Sequence, residues 1–425
     1  MAVLARDNVP DDGDNDIAPP RPAVLDFDVY FVLVIAALLA FGLLMVYSTT
    51  FDWSYLEFGS PVRIFLNQVR SLVIGLVGLV VAWRLDYRIW RDRRIAAGIM
   101  LLTILALGLL LVLNNNRVLG SQRSLYAGSY QPGEAAKLAV IIYFGAWLSS
   151  RRAQLGRIGY GLIPFSFLVG AVGGLIVLQP DLSTAAIIVL TAWTMFFIAG
   201  ANILQIVLAG AGAGFVAWSL STQFAYARER LVDHLSAMQD LTQASWHVQQ
   251  AIIAFTAPGS RAGGTFSPNW FGVGLGQSRQ KFGFLPAPHT DSIFAIIGEE
   301  LGLFGCVVIV LLFCLLVWRG FKIAKEARDD FGALLVVGII SWVSYEALLN
   351  VAVMTAVMPF TGVPLPFISY GGSSLVVVLT GMGLVMSVSR RRPIQRRPRG
   401  VDYEYERRRR WGNVARVGRR GRVEY

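Results

Sequence analysis

The sequence predicts an all-α polytopic membrane protein with ten transmembrane helices, both termini inside the cell, and a large extracellular loop between helices 7 and 8. Three observations predict it. Hydrophobic residues make up 55% of the chain and charged residues 15%, with mean hydropathy +0.56, which is too apolar for soluble domains. The apolar residues come in long blocks rather than at amphipathic spacing, and a bilayer core takes roughly 20 residues of helix. Arginines and lysines fall in alternate connections, as expected when positive charge is kept on the cytoplasmic side.

In chain order the expected spans are Val29 to Ser48, Phe65 to Trp83, Ile95 to Leu113, Ala135 to Ser149, Ile158 to Leu178, Leu182 to Ala199, Ile203 to Leu220, Ile293 to Trp318, Phe331 to Met358, and Leu375 to Val388. The second contains Arg70 and the fourth follows Lys137, so both are expected to be completed by polar residues facing other helices rather than lipid. Orientation comes from Arg84, Arg88, Arg91, Arg93 and Arg94 after span two, Arg151, Arg152 and Arg157 after span four, and Arg319, Lys322, Lys325 and Arg328 after span eight. These mark the inner loops, so the long 221–292 connection lies outside. Connections of that length without structure of their own tend to be functional.

Flanking the 29–389 membrane domain are two tails. Residues 1–28 are rich in Asp and Pro and read as a disordered cytoplasmic segment without a cleavable signal peptide. Between 390 and 425, fourteen arginines stand against four acids and account for nearly all of the net charge of +11. A basic tail directly after a last span is expected to anchor on anionic headgroups, with partner docking as the alternative; no nucleic-acid-binding fold accompanies it. Cys306 and Cys314, about 12 Å apart along one helix, cannot bridge one another. The three histidines lack metal-ligand spacing, so no metal site is expected.

Four polar clusters interrupt the apolar pattern. Arg123 precedes Gln131-Pro132-Gly133-Glu134-Ala135-Ala136-Lys137, where Pro132 suits a first helical turn and Glu134 and Lys137 share a helix face. They make either a self-neutralising structural pair or a cationic site whose lysine meets phosphate. Asp181 in Gln179-Pro180-Asp181 suits the N-cap of span six. The long outer loop ends in Gly272-Val273-Gly274-Leu275-Gly276-Gln277-Ser278-Arg279-Gln280-Lys281, whose glycines suit either anion approach or a flexible turn. It then runs through His289-Thr290-Asp291 into span eight, where Glu299 and Glu300 follow. A carboxylate at the mouth of a span is costly unless used, and one of two adjacent acids must face a polar interior. The fourth cluster is the irregular segment from Met358 to Ser374, which includes Ser369. Non-helical backbone at membrane depth is tolerated where it walls a cavity.

These clusters, in this order, resemble the SEDS family (shape, elongation, division and sporulation) of polytopic cell-wall glycosyltransferases, typified by FtsW and RodA. The resemblance covers about residues 28 to 390. It is most specific in Pro359-Phe360-Thr361-Gly362-Val363-Pro364-Leu365-Pro366-Phe367-Ile368-Ser369-Tyr370-Gly371-Gly372-Ser373-Ser374 and from Gly274 through Gly302, with wording closer to FtsW than to RodA. The chain departs from the family at Ser124 in place of a tryptophan, and at Gly133, Ser183, Ser292 and Glu346, the last standing where glutamine is frequent.

What the resemblance implies is polymerisation of lipid II on the outer face of a bacterial cytoplasmic membrane, with the family's essential loop aspartate falling on Asp291. A base for a sugar hydroxyl and positive charge for a departing pyrophosphate are the two requirements. Asp291 is the candidate base. Lys137, with Arg123 and Lys281 or Arg279, is the candidate pyrophosphate holder, and Glu134, Asp181, His289, Glu300 and Ser369 complete the candidate substrate-binding set. No cofactor is implied, and a divalent cation is left open. Expected partners are lipid II, a class B penicillin-binding transpeptidase, other divisome or elongasome membrane proteins, and anionic lipid at the tail, with no nucleic acid. Rival readings are a lipid II flippase and a non-catalytic scaffold that recruits the transpeptidase.

Overall fold

The computed structural model describes residues 27–113, 131–151, 155–239, 246–256, 270–282, 284–285 and 288–390. Arg123, Ser124 and both tails, 1–26 and 391–425, lie outside the described residues. Among the described residues there are helices and turns but no strand. The helices are α1 (Val29–Phe58), α2 (Arg63–Arg84), α3 (Arg93–Leu113), α4 (Pro132–Arg151), α5 (Leu162–Val177), α6 (Leu182–Ile198), α7 (Ile203–Gln223), α8 (Ala225–Gln239), α9 (Trp246–Thr256), α10 (Ile293–Lys325), α11 (Asp330–Met354) and α12 (Gly372–Ser389).

Each of the ten apolar blocks is a helix. Seven of them (α1, α2, α3, α7, α10, α11 and α12) are long and apolar enough to cross a membrane, while α5 and α6 are shorter apolar helices. The tenth, α4, carries Glu134, Lys137 and Arg151. The chain is a multi-pass membrane protein. The boundaries that differ most from expectation are those of α1, which continues past Ser48 to Phe58, of α10, which continues past Trp318 to Lys325, of α5, which begins at Leu162 rather than Ile158, and of α11, which stops at Met354 rather than Met358. The long connection also has helices of its own, α8 and α9.

Local signals explain where helices begin and end. Asp28, Asp181, Asn202 and Asp329 each accept a backbone N–H from the first turn of α1, α6, α7 and α11, satisfying donors that a helix start leaves open. α1 stops at Gly59, left-handed at φ 67°, where glycine carries no Cβ penalty.

In lipid, hydrophobicity does not distinguish one apolar face from another, so close packing at small residues decides which helices meet. The pairing of α2 with α12 follows this rule. A Cβ on Gly75 would lie 2.6 Å from Leu379 Cδ1, and one on Gly383 would lie 2.3 Å from Leu79 O. α11 is the most enclosed of the long helices and packs against α4, α6, α10 and α12. α7 is the least enclosed and presents Val207, Leu208, Phe215 and Trp218 outward.

The arginine-rich connections gather at one end of the bundle. There Asp28, while capping α1, pairs with Arg319 at 2.6 Å. Asp329, while capping α11, takes the Tyr87 hydroxyl at 3.2 Å and Arg88 at 3.4 Å. The singled-out polar residues of the described chain lie at the opposite end.

Candidate functional site

Asp291 is the last residue but one before α10, and it does not cap that helix: Ser292 occupies the N-cap position, without a side-chain cap bond. Its carboxylate instead accepts from Thr290 Oγ1 at 2.9 Å. The backbone around it is pinned to the irregular 355–371 segment. Asn350 Nδ2 donates to Asp291 O and to Val363 O, each at 2.7 Å. Ser369 Oγ donates to Thr290 O and accepts from Leu365 N at 2.8 Å, while Tyr370 N donates to His289 O at 2.8 Å. A Cβ on Gly362 would lie 3.5 Å from Asp291 Oδ2, and Gly362 is left-handed at φ 69°, so the carboxylate sits against a stretch of backbone that only glycine enters easily.

Burial pushes the Asp291 carboxyl above the ordinary carboxylate range, while Thr290, its own and Ser292's backbone N–H, and His247 pull it down by less. Burial also lowers His289 and His247; the Asp291 charge opposes this at His247. His247, on α9, lies over Phe360 with ring centroids 4.4 Å apart. Phe360 O accepts from Arg230 at 2.8 Å. Together with His234 and Asp233 these residues line a cavity of about 240 Å³, roofed by α8 and α9.

The Glu134 and Lys137 pair forms as the spacing predicts, at 2.8 Å, but it is a triad. Lys137 Nζ also makes a short contact with Glu346 Oε1 of α11 and lies 5.4 Å from the Trp342 ring. The lysine side chain is 3% exposed, so an anion reaching it must displace a carboxylate. One oxygen of Glu134 and one of Glu346 have no hydrogen-bond partner. Glu346 and Asn350 are four apart on α11, hence on one face about 6 Å apart along the axis. That face holds Lys137 with one residue and the Asp291 backbone with the other.

Asp181 caps α6 through Thr184 N at 3.2 Å and Thr184 Oγ1 at 2.9 Å. Ser183 Oγ donates to Thr361 O at 2.8 Å, and a Cβ on Gly133 would touch Thr184 at 3.7 Å. The start of α6 therefore meets Thr361, next to the Gly362 that approaches Asp291, and the start of α4 packs on the start of α6.

The 270–282 loop does a different job. Gly302, at φ 67° and ψ −164°, breaks the helical path of α10, which frees carbonyls upstream of the break. Val273 N takes Glu299 O at 2.9 Å, Gly274 N takes Glu300 O at 3.0 Å, and Trp270 O accepts Phe304 N. Gly272 lies so close that a Cβ would be 2.2 Å from Glu300 O. The glycine run is neither an anion nest nor a loose turn; it splints a helix break. Both acids below it are buried and satisfied. Glu299 accepts from Ser278 Oγ and from the backbone N–H of Arg279 and Gln280. Glu300 accepts from Ser48 Oγ at 2.7 Å and lies 3.6 Å from Lys281, whose ammonium also donates to Gly276 O at 2.7 Å and Ser48 O at 3.3 Å. Lys281 and Glu300 thus tie α1 to α10, whereas the Arg279 side chain is exposed.

The structure therefore brings Asp291, His289 and Ser369 together, sets Asp181, Glu134 and Lys137 behind them, and puts Lys281 and Glu300 in a separate buried node. Sequence reasoning left Asn350 without a role and noted Glu346 only as a departure; their four-residue spacing in an apolar helix was the available signal. Among the described residues no group of three or more His, Cys, Asp or Glu is disposed to hold a metal ion.

Fold and site define a multi-pass membrane protein with a carboxylate-centred polar site assembled from non-helical backbone at one mouth of its bundle. The family described as "Cell cycle protein", FtsW, RodA and SpoVE, matches residues 29–393. The chain belongs to this family, as the motif resemblance implied. It is 36% identical over 369 residues to "Stage V sporulation protein E" of Bacillus subtilis, covering 85% of this chain and 97% of that protein. It is 33% identical over 371 residues to "Probable peptidoglycan glycosyltransferase FtsW" of Trichlorobacter lovleyi, covering 86% and 93%. A solved structure described as "Structural coordination of polymerization and crosslinking by a peptidoglycan synthase complex" is similar at TM-score 0.68 and 26% identity, covering 86% of this chain and 98% of that one.

Proposed function

We propose that the chain is a peptidoglycan glycosyltransferase that polymerises lipid II into glycan strands, in division, elongation or sporulation. Supporting this are the family, the relatives named for the activity, and above all one observation: a largely buried carboxylate, its backbone held by Asn350 at the mouth of the bundle, whose charge acts on His247 in the wall of a cavity.

Asp291 removes the proton of the acceptor's GlcNAc 4-hydroxyl. The oxygen then displaces undecaprenyl pyrophosphate from C1 of the donor's MurNAc, with inversion, and the leaving group carries away the bond's electron pair. A base whose pKa is lifted toward the working pH removes the proton more effectively than an ordinary carboxylate. Exposed Arg279, together with Arg123, supplies positive charge for the pyrophosphate. Lys137 acts from behind, ordering α4 against α11, and contacts the pyrophosphate only if Glu346 releases it.

The Asp291 end then faces outward and the arginine-rich end inward, giving ten crossings of the cytoplasmic membrane with both termini on its inner side. A class B penicillin-binding transpeptidase is the proposed partner, in keeping with the synthase complex among the structural relatives. Other divisome or elongasome proteins, and anionic lipid at the basic tail, complete the set.

The test compares purified wild type with Asp291→Asn for lipid II polymerisation, alone and with the transpeptidase. Wild type is expected to make glycan strands and the variant none, with both equally folded. Polymerisation by the variant removes Asp291 from the base role. No product from wild type even with its partner favours a scaffold or flippase.

A further inference from the structure

A second cavity, of about 160 Å³, opens between α3 and α4 at the arginine-rich end, far from Asp291 along the helices. Arg93, the first residue of α3, and Arg151, the last of α4, both line it. Tyr143, Trp147 and Ser150 line it from α4 at four- and three-residue steps, hence from one helix face. Ala96 and Ala97 line it from α3 and Ala146 from α4, and these short side chains leave the slot open.

We infer that this slot binds the phosphate headgroup of an anionic phospholipid. Two guanidinia match a phosphodiester in charge, and guanidinium is the side chain suited to paired N–H···O contacts with phosphate oxygens. Asp92, the one neighbouring acid in that turn, is engaged by the Arg94 backbone N–H at 2.8 Å. Ser150 Oγ turns back to Trp147 O at 2.8 Å, so the arginines are the headgroup's main partners.

A lipid, rather than a free anion, follows from what continues the slot. Tyr143 and Trp147 are amphipathic rings of the kind that sit at headgroup depth. Beyond Ala97 the same stripe of α3 presents Leu101 and Leu105, 59% and 60% exposed, an apolar track for an acyl chain. Basic pockets between transmembrane helices on the cytoplasmic side characteristically take such headgroups. The site is independent of the catalytic reading and requires only that this end face a leaflet containing anionic lipid.

The full-length protein is placed in phosphatidylcholine nanodiscs doped with phosphatidylglycerol or cardiolipin. Bound lipid is counted by native mass spectrometry and the thermal unfolding midpoint is followed. Anionic lipid is expected to be retained and to raise the midpoint. Arg93→Gln with Arg151→Gln should weaken retention of the lipid in the slot about 30-fold, from roughly fivefold per basic residue, leaving what the basic tail holds, while Arg63→Gln at the other end leaves both unchanged. Should the double variant fail to fold in pure phosphatidylcholine, Ala97→Trp decides: it fills the slot, keeps both guanidinia, and should also lower retention to what the basic tail alone holds. Wild-type retention by a folded double variant, or by Ala97→Trp, overturns the site. Stabilisation by glycerol 1-phosphate equal to that by phosphatidylglycerol overturns the lipid assignment.

Discussion

Replacing Lys137 by methionine keeps an unbranched chain of similar length but removes the charge that two buried carboxylates share. The side chains of Glu134 and Glu346 are 7% and 1% exposed, and each already has one oxygen without a partner. Breaking a buried pair by deleting one member typically costs about 3–5 kcal/mol, because the remaining charge is uncompensated. Loss of the ammonium near Trp342, 5.4 Å from the ring, adds about 0.5–2 kcal/mol. A protein with typical stability of about 5–15 kcal/mol then loses a large part of it. The assay is thermal and denaturant unfolding in nanodiscs of Lys137→Met, and of the same change combined with Glu134→Gln and Glu346→Gln. The triple variant carries no buried charge at the site and is expected to regain most of the lost stability. If Lys137→Met unfolds within about 1 kcal/mol of wild type, or the triple variant is no more stable than the single one, the triad is not a coupled buried charge cluster.

Asn350→Ala removes the donor shared by Asp291 O and Val363 O. Leaving buried carbonyls unpaired costs about 1–3 kcal/mol, and displacing the Asp291 backbone should lower kcat more than it raises KM for lipid II. Gly42→Ala brings a Cβ to 2.3 Å from Phe367 O and 2.8 Å from Ile368 Cα. Such overpacking costs about 1–3 kcal/mol and pushes on the segment carrying Ser369, so both unfolding midpoint and polymerisation rate should drop. The pH dependence of Asp291 has a definite sign. Its folded pKa is raised, so the folded state disfavours ionisation; the protonated group's contribution is fully present below the ordinary value and is lost as pH rises through the folded pKa. Asp291→Asn should accordingly be at least as stable as wild type at neutral pH. The rate of wild type should rise with pH through a point above the usual carboxylate range, a limb that the variant's residual rate lacks.

Much of the architecture was legible in one dimension. Ten apolar blocks became ten helices because a continuous apolar run of helical length has little choice in lipid, and Asp181 capped α6 as a short acceptor before a helix does. The clustering of Glu134 with Lys137 was equally local, three residues apart on one face. Positions where pattern reading fell short share a feature: their partner comes from elsewhere in the chain. Glu346 joins Lys137 from 209 residues away and Lys281 reaches Ser48 from 233 residues away. Composition could say that a buried lysine or glutamate needs a partner, but not which one. The glycine run near 272–276 is the clearest case, since glycine spacing suits an anion, a turn or a close backbone approach equally well. Only the break at Gly302, and the carbonyls it frees, selects the last of these. Periodicity and composition thus determined the helices, several of their caps and the residue types too costly to be idle in a membrane. The tertiary fold decided which of those residues face one another, because a buried charge is defined by what neutralises it, and that neighbour is set by packing across helices rather than by spacing along one.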